Sequence, residues 1–303
     1  MALFRTLALS LALGAFALTP VAAQDDDDAP ASAAAPSRIA VERVTFPSVD
    51  DAKTQLVGYV FKAPATTAKG APAVVLMHGR AGAYSSAAKG VYTAETLSMR
   101  HKWWARYWAE RGYVAIVVDG FGPRGYPGGF AAGTYNDRPD SINEVTVRPL
   151  DAYGALKYLR SRPDVDGARV GLMGWSNGGS ATLAAMADDK VGDMRKLGFK
   201  AGLSFYPGCG LKKRFDAKGY TAYAPVRVFI GTEDEEVSPK LCQELVARSR
   251  KLGSDVELTV YPGATHSFDD PGKKRQSVPA NAEAAKDARE KAGAFFDALV
   301  RGG

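Results

Sequence analysis

The sequence predicts an α/β fold in which helices cover both faces of a mostly parallel central sheet. From residue 72 to the C-terminus, short apolar runs typical of buried strands alternate with stretches of helical length. Strands that are joined through helices in this way run parallel to one another. No linker or internal repeat divides this part, and the composition is that of an ordinary globular protein, so we expect one domain over 38–303.

The N-terminus has the pattern of a signal peptide over 1–23. Arg5 precedes an apolar run that ends near Leu18, and small residues follow up to Ala23. This run is too short for a stable membrane span, although an uncleaved anchor is the alternative. We expect cleavage after Ala23, export to the periplasm or full secretion, and no stable membrane insertion afterwards. Residues 24–37, QDDDDAPASAAAPS, are expected to form a disordered linker.

The remaining elements follow in chain order. The alternating stretches IAVERVTF and QLVGYVFK are typical of antiparallel strands, and six buried strands are predicted in APAVVLMHG, YVAIVVDG, ARVGLMG, KAGLSFYP, PVRVFIG and VELTVYP. Helices are predicted over 99–112, from about Val145 to Arg160, from Asn177 to about Ala187, in SPKLCQELVARSRKL and in NAEAAKDAREKAGAFFDALV. The Gly- and Pro-rich stretch 120–145 predicts a long loop, and such loops are usually functional.

Three groups of reactive residues follow predicted parallel strands. Ser176 comes after ARVGLMG, the acidic run TEDEE comes after PVRVFIG, and His266 comes after VELTVYP. Ligands of parallel sheets bind at the carboxyl ends of the strands, where these residues would meet. The order Ser, acid, His and the match of GWSNG to G-x-S-x-G are typical of a nucleophile elbow. A histidine would activate the serine and a carboxylate would orient the histidine. The alternative is an ordinary helix-capping serine.

The loop HGRAG, residues 78–82, follows the first buried strand. In a nucleophile-elbow architecture one oxyanion donor comes from this loop, and the other is the backbone N–H after the nucleophile. We assign these donors to Arg80 and Asn177. His78 is expected to shape the loop and His101 lies in a predicted helix, so His266 is the expected base.

Six stretches resemble the dienelactone hydrolase family of the α/β-hydrolase superfamily. They are VVLMHGRAG, YVAIVVDGFGPRG, VGLMGWSNGG, GLSFYPGCG, FIGTEDEEVSP and VYPGATHSF, and they span most of 72–268. The resemblance implies an α/β-hydrolase fold with Ser176, Asp234 and His266 as a catalytic triad. It favours Asp234 over its acidic neighbours because the family places the acid three residues after a glycine, here Gly231. Two further acidic residues are alternatives, although Asp119 ends a strand that comes early for this chain order. Those competing residues are Glu233, Glu235, Glu236, Asp119 and Asp151.

The family's namesake enzymes have cysteine where this chain has Ser176, which moves the expectation from dienelactone towards general ester chemistry. We expect a serine hydrolase that cleaves a carboxylic ester or lactone of a small molecule through an acyl-enzyme, with no metal or organic cofactor. The alternatives are a peptidase or other acyl-transfer enzyme on the same triad, or a non-catalytic binding protein on this scaffold. The basic clusters at 212–214 and 273–275 are short, so no nucleic-acid partner is expected.

Cys209 and Cys242 lie 33 positions apart, and an even cysteine count in an exported protein favours a disulfide over two buried thiols. The resemblance supports this bridge, because exported family members have cysteines at these positions.

Three weaker expectations concern substrate contacts. Trp175 would line the acyl pocket, Arg124 together with Arg80 would bind a substrate carboxylate, and Tyr84 would border the pocket. Packing is the alternative for Trp175, and structural salt bridges are the alternative for the two arginines. The tryptophans at 103, 104 and 108 are expected to pack on the helix face.

Overall fold

The structure is a computed structural model that describes residues 39–63, 70–189 and 194–302. The predicted signal peptide (1–23) and linker (24–37) lie outside the described residues, and they stay predictions. In the part of the chain that the structure describes, no helix is long and apolar enough to cross a membrane.

In the described part of the chain, eight strands form one sheet. They are β1 (Ala40–Pro47), β2 (Gln55–Lys62), β3 (Ala71–Met77), β4 (Val114–Asp119), β5 (Val165–Trp175), β6 (Gly202–Phe205), β7 (Val226–Glu233) and β8 (Val256–Thr265). Their order in space is β1-β2-β4-β3-β5-β6-β7-β8. β2 is antiparallel to both β1 and β4, and every other neighbouring pair is parallel. The predicted mostly parallel sheet is therefore confirmed.

The described helices are α1 (Met99–Glu110), α2 (Arg148–Ser161), α3 (Asn177–Met186), α4 (Met194–Leu197), α5 (Pro239–Lys251), α6 (Lys273–Gln276) and α7 (Pro279–Phe296), and α7 continues as a wider turn over Asp297–Arg301. α2 begins three residues later than predicted. The Asn143 side chain accepts the backbone N–H groups of Val145 and Thr146, at 2.9 and 3.3 Å, and holds that segment as a turn.

Helices cover both faces of the sheet. A side chain at Gly171 would collide with Phe296 of α7, whereas one at Gly174 would collide with Gly178 of α3. Positions an odd number apart on a strand point to opposite faces, so α3 and α7 lie on opposite sides. α1 shares a face with α7, because Trp108 packs on Phe296 with ring centroids 5.1 Å apart.

The core follows the two central strands. Every residue of β3 and β4 is buried, as their unbroken apolar runs predict. Trp104 and Trp108 of α1 are fully buried against this layer, and Trp103 packs at its margin, so the tryptophans pack as expected. β3 lies between β4 and β5, and the chain therefore reverses its direction across the sheet at β3. This switch point brings the ends of β3 and β5 side by side, and ligands of such sheets bind there.

Candidate active site

Ser176 lies in a sharp turn between the end of β5 and the start of α3. Its backbone has φ 52° and ψ −116°, a conformation that a residue with a side chain rarely adopts. Such strain costs about 1–3 kcal/mol and persists only where the surroundings enforce it. Here the Ser176 N–H donates to Phe205 O of β6, and its carbonyl accepts the Ser180 N–H, both at 2.9 Å. The strained turn is thus fixed at both its amide and its carbonyl.

The glycines on either side of Ser176 are required by close backbone contacts. A Cβ at Gly174 would collide with the Gly178 carbonyl, and a Cβ at Gly178 would collide with the carbonyls of Met77 and His78. The first turn of α3 therefore packs directly on the end of β3. This contact is the physical reason for the small residues in the GWSNG motif.

His266 follows β8 and is oriented by Asp234, which follows β7. The imidazole Nδ1 lies 3.0 and 2.9 Å from the two Asp234 carboxylate oxygens. Asp234 Oδ1 also accepts the backbone N–H groups of Glu236 and Val237, each at 2.9 Å. Both side chains are almost wholly buried. The carboxylate is thus held in place by the backbone and in turn holds the ring.

The other acidic candidates have different partners. Glu235 accepts the His266 backbone N–H at 2.8 Å and pairs with Arg275 at 3.0 Å. Glu233 is exposed at the end of β7. Asp119 accepts N–H groups of its own following turn, and Asp151 pairs with an arginine. Among the described acidic residues, Asp234 is the one that hydrogen-bonds to the His266 ring.

Glu236 lies on the opposite side of the same histidine. Its carboxylate forms a two-pronged ion pair with Arg80, with N–O distances of 2.7 and 2.5 Å. It also lies 3.8 Å from His266 Nε2. Burial alone would raise the pKa of Glu236, but the hydrogen bond from Arg80 and the charges of His266 and Arg80 lower it overall. Glu236 therefore presents a negative charge beside the histidine.

No hydrogen bond joins Ser176 Oγ to His266 Nε2 in the described structure, although both residues line one cavity. Hydrogen bonds of this kind are often long before substrate binds and tighten in the reacting complex.

The loop after β3 crosses directly over Ser176. A Cβ at Gly79 would lie 3.4 Å from Ser176 Cβ, so Arg80 begins its turn beside the serine. The Arg80 carbonyl accepts the Phe130 N–H at 2.8 Å, and its guanidinium donates to Phe130 O at 3.0 Å. Asn177 is the first residue of α3, where backbone N–H groups have no partner within the helix. The structure thus places Arg80 and Asn177 beside Ser176.

Arg148 is a site residue that sequence reasoning missed. Its side chain is fully buried and donates from Nη1 to His78 O at 2.7 Å and to Asn177 Oδ1 at 2.5 Å. The Asn177 amide donates in turn to Glu144 at 3.1 Å, and Glu144 accepts the Tyr135 hydroxyl at 2.6 Å. Burial lowers the pKa of Arg148 to about 10, against the opposing attraction of nearby carboxylates.

A sequence signal for Arg148 was present. Arg148 occupies the same helical stripe as Ala152, Ala155 and Leu159 of α2, all of which are buried. A charged residue on an apolar stripe is rarely buried unless it is paired.

His78 fixes the loop after β3. It is fully buried, its Nδ1 donates to Gly79 O at 2.7 Å, and its Nε2 accepts the Gly120 N–H at 3.2 Å. Burial, and then the positive charge of Arg148, hold the pKa of His78 well below its usual range. The neutral ring therefore ties the turn after β3 to the turn after β4.

Two of the expected substrate contacts are corrected by the structure. Trp175 is fully buried and donates from Nε1 to Asp269 at 2.9 Å, so it packs beneath the nucleophile and does not line the pocket. Arg124 is only 6% exposed and binds Asp50 at 2.7 Å and Asp151 at 2.8 Å. These partners occupy its guanidinium, and its role is structural. Tyr84 does line a cavity at Ser176, with its hydroxyl 2.9 Å from that of Tyr59.

Cys209 and Cys242 form the predicted disulfide, with Cα atoms 5.0 Å apart. Cys209 lies just after β6 and Cys242 lies in α5, so the bridge ties the loop after β6 to that helix. Cys209 also lines a cavity that reaches Ser176.

Two cavities open onto Ser176, with volumes of about 560 and 650 Å³. Ser176, Arg80 and Glu236 lie in the walls of both. The first cavity continues towards α5 and the loop after β6, and the second continues towards the start of α1. Among the described residues, no three His, Cys, Asp or Glu side chains are grouped as metal ligands.

Known proteins resemble this chain in sequence over part of its length. It is 25% identical over 168 residues to a Bradyrhizobium protein named as a probable 2-oxo-3-(5-oxofuran-2-ylidene)propanoate lactonase, covering 53% of this chain and 64% of that protein. It is 26% identical over 199 residues to protein usf of Aquifex pyrophilus, covering 59% of this chain and 77% of usf. It therefore spans less than two thirds of the lactonase.

Solved structures share the fold over most of the chain. A dienelactone hydrolase-like promiscuous phosphotriesterase from metagenomic libraries has a TM-score of 0.60 at 21% identity, covering 86% of this chain and 98% of that one. Thermogutta terrifontis esterase 2, in its propionate-bound structure, has a TM-score of 0.54 at 20% identity, covering 84% and 93%. The α/β-hydrolase fold is thereby established. The model of the dienelactone hydrolase family matches residues 61–300, and the chain belongs to this family.

Proposed function

We propose that this protein hydrolyses a carboxylic ester or lactone of a small molecule through an acyl-enzyme on Ser176. The observation that carries the proposal is that Ser176, on its strained turn, lines the same cavity as His266, whose ring lies 2.9 Å from the Asp234 carboxylate. Family membership supports hydrolytic chemistry. So do the names of its relatives, which include a lactonase, an esterase and a phosphotriesterase.

Acylation begins when Ser176 Oγ attacks the substrate carbonyl carbon and passes its proton to His266 Nε2. The carbonyl π electrons move onto the oxygen, which then accepts hydrogen bonds from the Arg80 and Asn177 backbone N–H groups. The N-terminal end of α3 adds a favourable dipole at this negative charge. Asp234 stabilises the imidazolium through Nδ1.

The tetrahedral adduct then collapses. The bond to the leaving oxygen breaks as His266 Nε2 returns the proton to that oxygen, and the acyl group stays on Ser176. Water attacks the acyl-enzyme with His266 again accepting the proton. The second collapse releases the carboxylic acid and restores the Ser176 hydroxyl.

The test is steady-state hydrolysis of short-chain p-nitrophenyl esters by the wild type beside Ser176→Ala and Asp234→Asn. We expect Ser176→Ala to lose at least about 1,000-fold in kcat, and Asp234→Asn to lose about 10,000-fold because the histidine takes the wrong tautomer. Circular dichroism controls for folding. Equal activity of wild type and Ser176→Ala would overturn the proposal. No hydrolysis by any form, and no reaction of Ser176 with a fluorophosphonate, would favour a non-catalytic binding protein.

A further inference from the structure

The two cavities at Ser176 differ in which catalytic group they contain. His266 lines only the second cavity, whereas Asn177 lines only the first. Because the proposed reaction uses these residues at different atoms of the substrate, the two cavities are not equivalent. The inference below deepens the proposed function and rests on it.

The chemistry fixes which part of an ester occupies which cavity. The leaving oxygen must receive its proton from His266 Nε2, so the alcohol part extends into the cavity that His266 lines. The acyl carbon stays bonded to Ser176 Oγ, with its oxygen towards the Asn177 N–H. The rest of the acyl group therefore extends into the first cavity.

The first cavity offers apolar contact to the acyl group. Leu211, Val237 and Leu241 lie in its wall, together with the Cys209 end of the disulfide. Leu241 is 46% exposed. Covering such an apolar side chain with the apolar surface of a substrate lowers the free energy. The charged side chains in the same wall are of both signs, so they do not select for one charge. They are Arg80, Arg138, Lys212, Lys213, Glu144, Glu235 and Glu236.

The second cavity is more polar. Hydroxyl groups line it beside Met99 and Phe130. Two ion pairs balance its charge: Arg80 with Glu236 and Arg100 with Asp270, the latter at 3.0 Å. The hydroxyls belong to Ser85, Ser86, Ser98 and Ser267. Ser85 Oγ already accepts the Ala87 N–H at 3.2 Å, so its own proton is free to be donated.

Paired charges and hydroxyls suit a partner with many hydroxyls and no net charge. A charged alcohol would pair with one member of an ion pair and leave the other member uncompensated. An alkyl alcohol would cover these polar groups without replacing their hydrogen bonds to water. We infer that the substrate is an ester of an apolar acyl group with an uncharged, hydroxyl-rich alcohol, and that the alcohol occupies the cavity between Ser176 and the start of α1.

The test measures kcat/KM on four esters that combine an acetyl or hexanoyl group with glycerol or ethanol. Two matched variants each add bulk at an exposed wall position outside the catalytic machinery: Leu241→Trp in the first cavity and Ser86→Trp in the second. The wild type is expected to prefer glyceryl over ethyl esters by about tenfold.

Leu241→Trp is expected to lower the hexanoyl-to-acetyl ratio about tenfold and to leave the alcohol preference unchanged. Ser86→Trp is expected to lower the glyceryl-to-ethyl ratio about tenfold and to leave the acyl preference unchanged. The inference would be overturned if each variant changed the ratio assigned to the other, or if the wild type preferred ethyl esters. In either case, hydrolysis that depends on Ser176 would still uphold the proposed function. Hydrolysis that persists in Ser176→Ala would overturn both.

Discussion

Arg148 links the two loops that flank the nucleophile. One guanidinium nitrogen donates both to His78 O, ahead of Arg80, and to the side chain of Asn177. The two proposed oxyanion donors therefore share one buried anchor. Donors that are held in place before reaction stabilise the transition state without reorganisation. Arg148 lies in the wall of neither cavity at Ser176, so we expect it to act as a positioning residue.

Replacing Arg148 with Met should lower kcat about 10- to 100-fold and leave KM nearly unchanged. Both anchors of the oxyanion loops would be lost, and that loss is felt mainly in the transition state. Arg148→Lys keeps the charge and one donor nitrogen, but in a different geometry, so its loss should be intermediate. Steady-state kinetics on p-nitrophenyl acetate measure the split between kcat and KM. A folded Arg148→Met protein with wild-type kcat would contradict the role.

At the residue scale, candidate site residues could be predicted where the neighbouring sequence is distinctive. Ser176 and His266 follow apolar runs, and their order is informative. Asp234 could be predicted only from the family resemblance, because the sequence does not distinguish four consecutive acidic positions. In the structure, Asp234 is the one that lies at Nδ1 of the histidine. The predicted substrate contacts of Trp175 and Arg124 were wrong. The direction of each side chain depends on a partner distant in the sequence, here Asp269 and Asp151.

At the element scale, the disulfide joins the loop after β6 to α5. It closes a separation of 33 residues, so the chain-entropy model gives a stabilisation of about 3–4 kcal/mol. The same loop and helix supply Leu211 and Leu241 to the first cavity. The bridge therefore joins two segments that line this cavity.

The double variant Cys209→Ser, Cys242→Ser should lower the free energy of unfolding by about 3–4 kcal/mol. Urea unfolding in the absence of reductant measures this. The matched control is the wild type with dithiothreitol, which should unfold at the same lower urea concentration as the double variant. Unchanged stability in the double variant would contradict the expected contribution of the bridge.

Helices and strands were predicted where the apolar residues follow one periodic pattern over the length of the element. β3, β4 and α1 agree with their apolar patterns, because nothing interrupts those patterns. The start of α2 was misplaced, because the Asn143 side chain competes for the amides that would have begun the helix. The short helices α4 and α6 were not predicted, since four residues are too few to show a helical period.

At the scale of the whole molecule, two buried histidines, His78 after β3 and His101 in α1, lie with ring centroids 6.4 Å apart. Burial, and then the charge of Arg100, lower the pKa of His101 to about 4. Burial lowers the pKa of His78 in the same direction. Both rings are therefore neutral in the folded protein at a pH where the unfolded chain begins to bind protons.

Acidification should weaken the fold between about pH 6.5 and pH 4. The unfolded chain protonates His101 near 6.5 and the folded protein does so only near 4, so the contribution of the neutral ring is full above 6.5 and is lost as pH falls. The full shift corresponds to about 3 kcal/mol. Urea unfolding at several pH values measures the slope. His101→Gln should flatten it, and an equal slope in the variant would contradict the assignment.

The fold class was the most predictable feature, because parallel pairing of the strands follows from the alternation of apolar strands and helices. The shape of the cavities, which depends on packing between distant segments, was the least predictable feature. The two cavities at Ser176 combine residues from the loops after β3, β6 and β7 and from α1 and α5, and their sizes depend on packing that no single stretch encodes.

The most direct measurement of the central claim is mass spectrometry of the protein after rapid acid quenching during turnover of p-nitrophenyl acetate. We expect a transient acetyl group on the peptide that contains Ser176, and none in Ser176→Ala. Hydrolysis that continues with the acyl group on another residue, or with Ser176 never modified, would show that the strained serine only turns the chain.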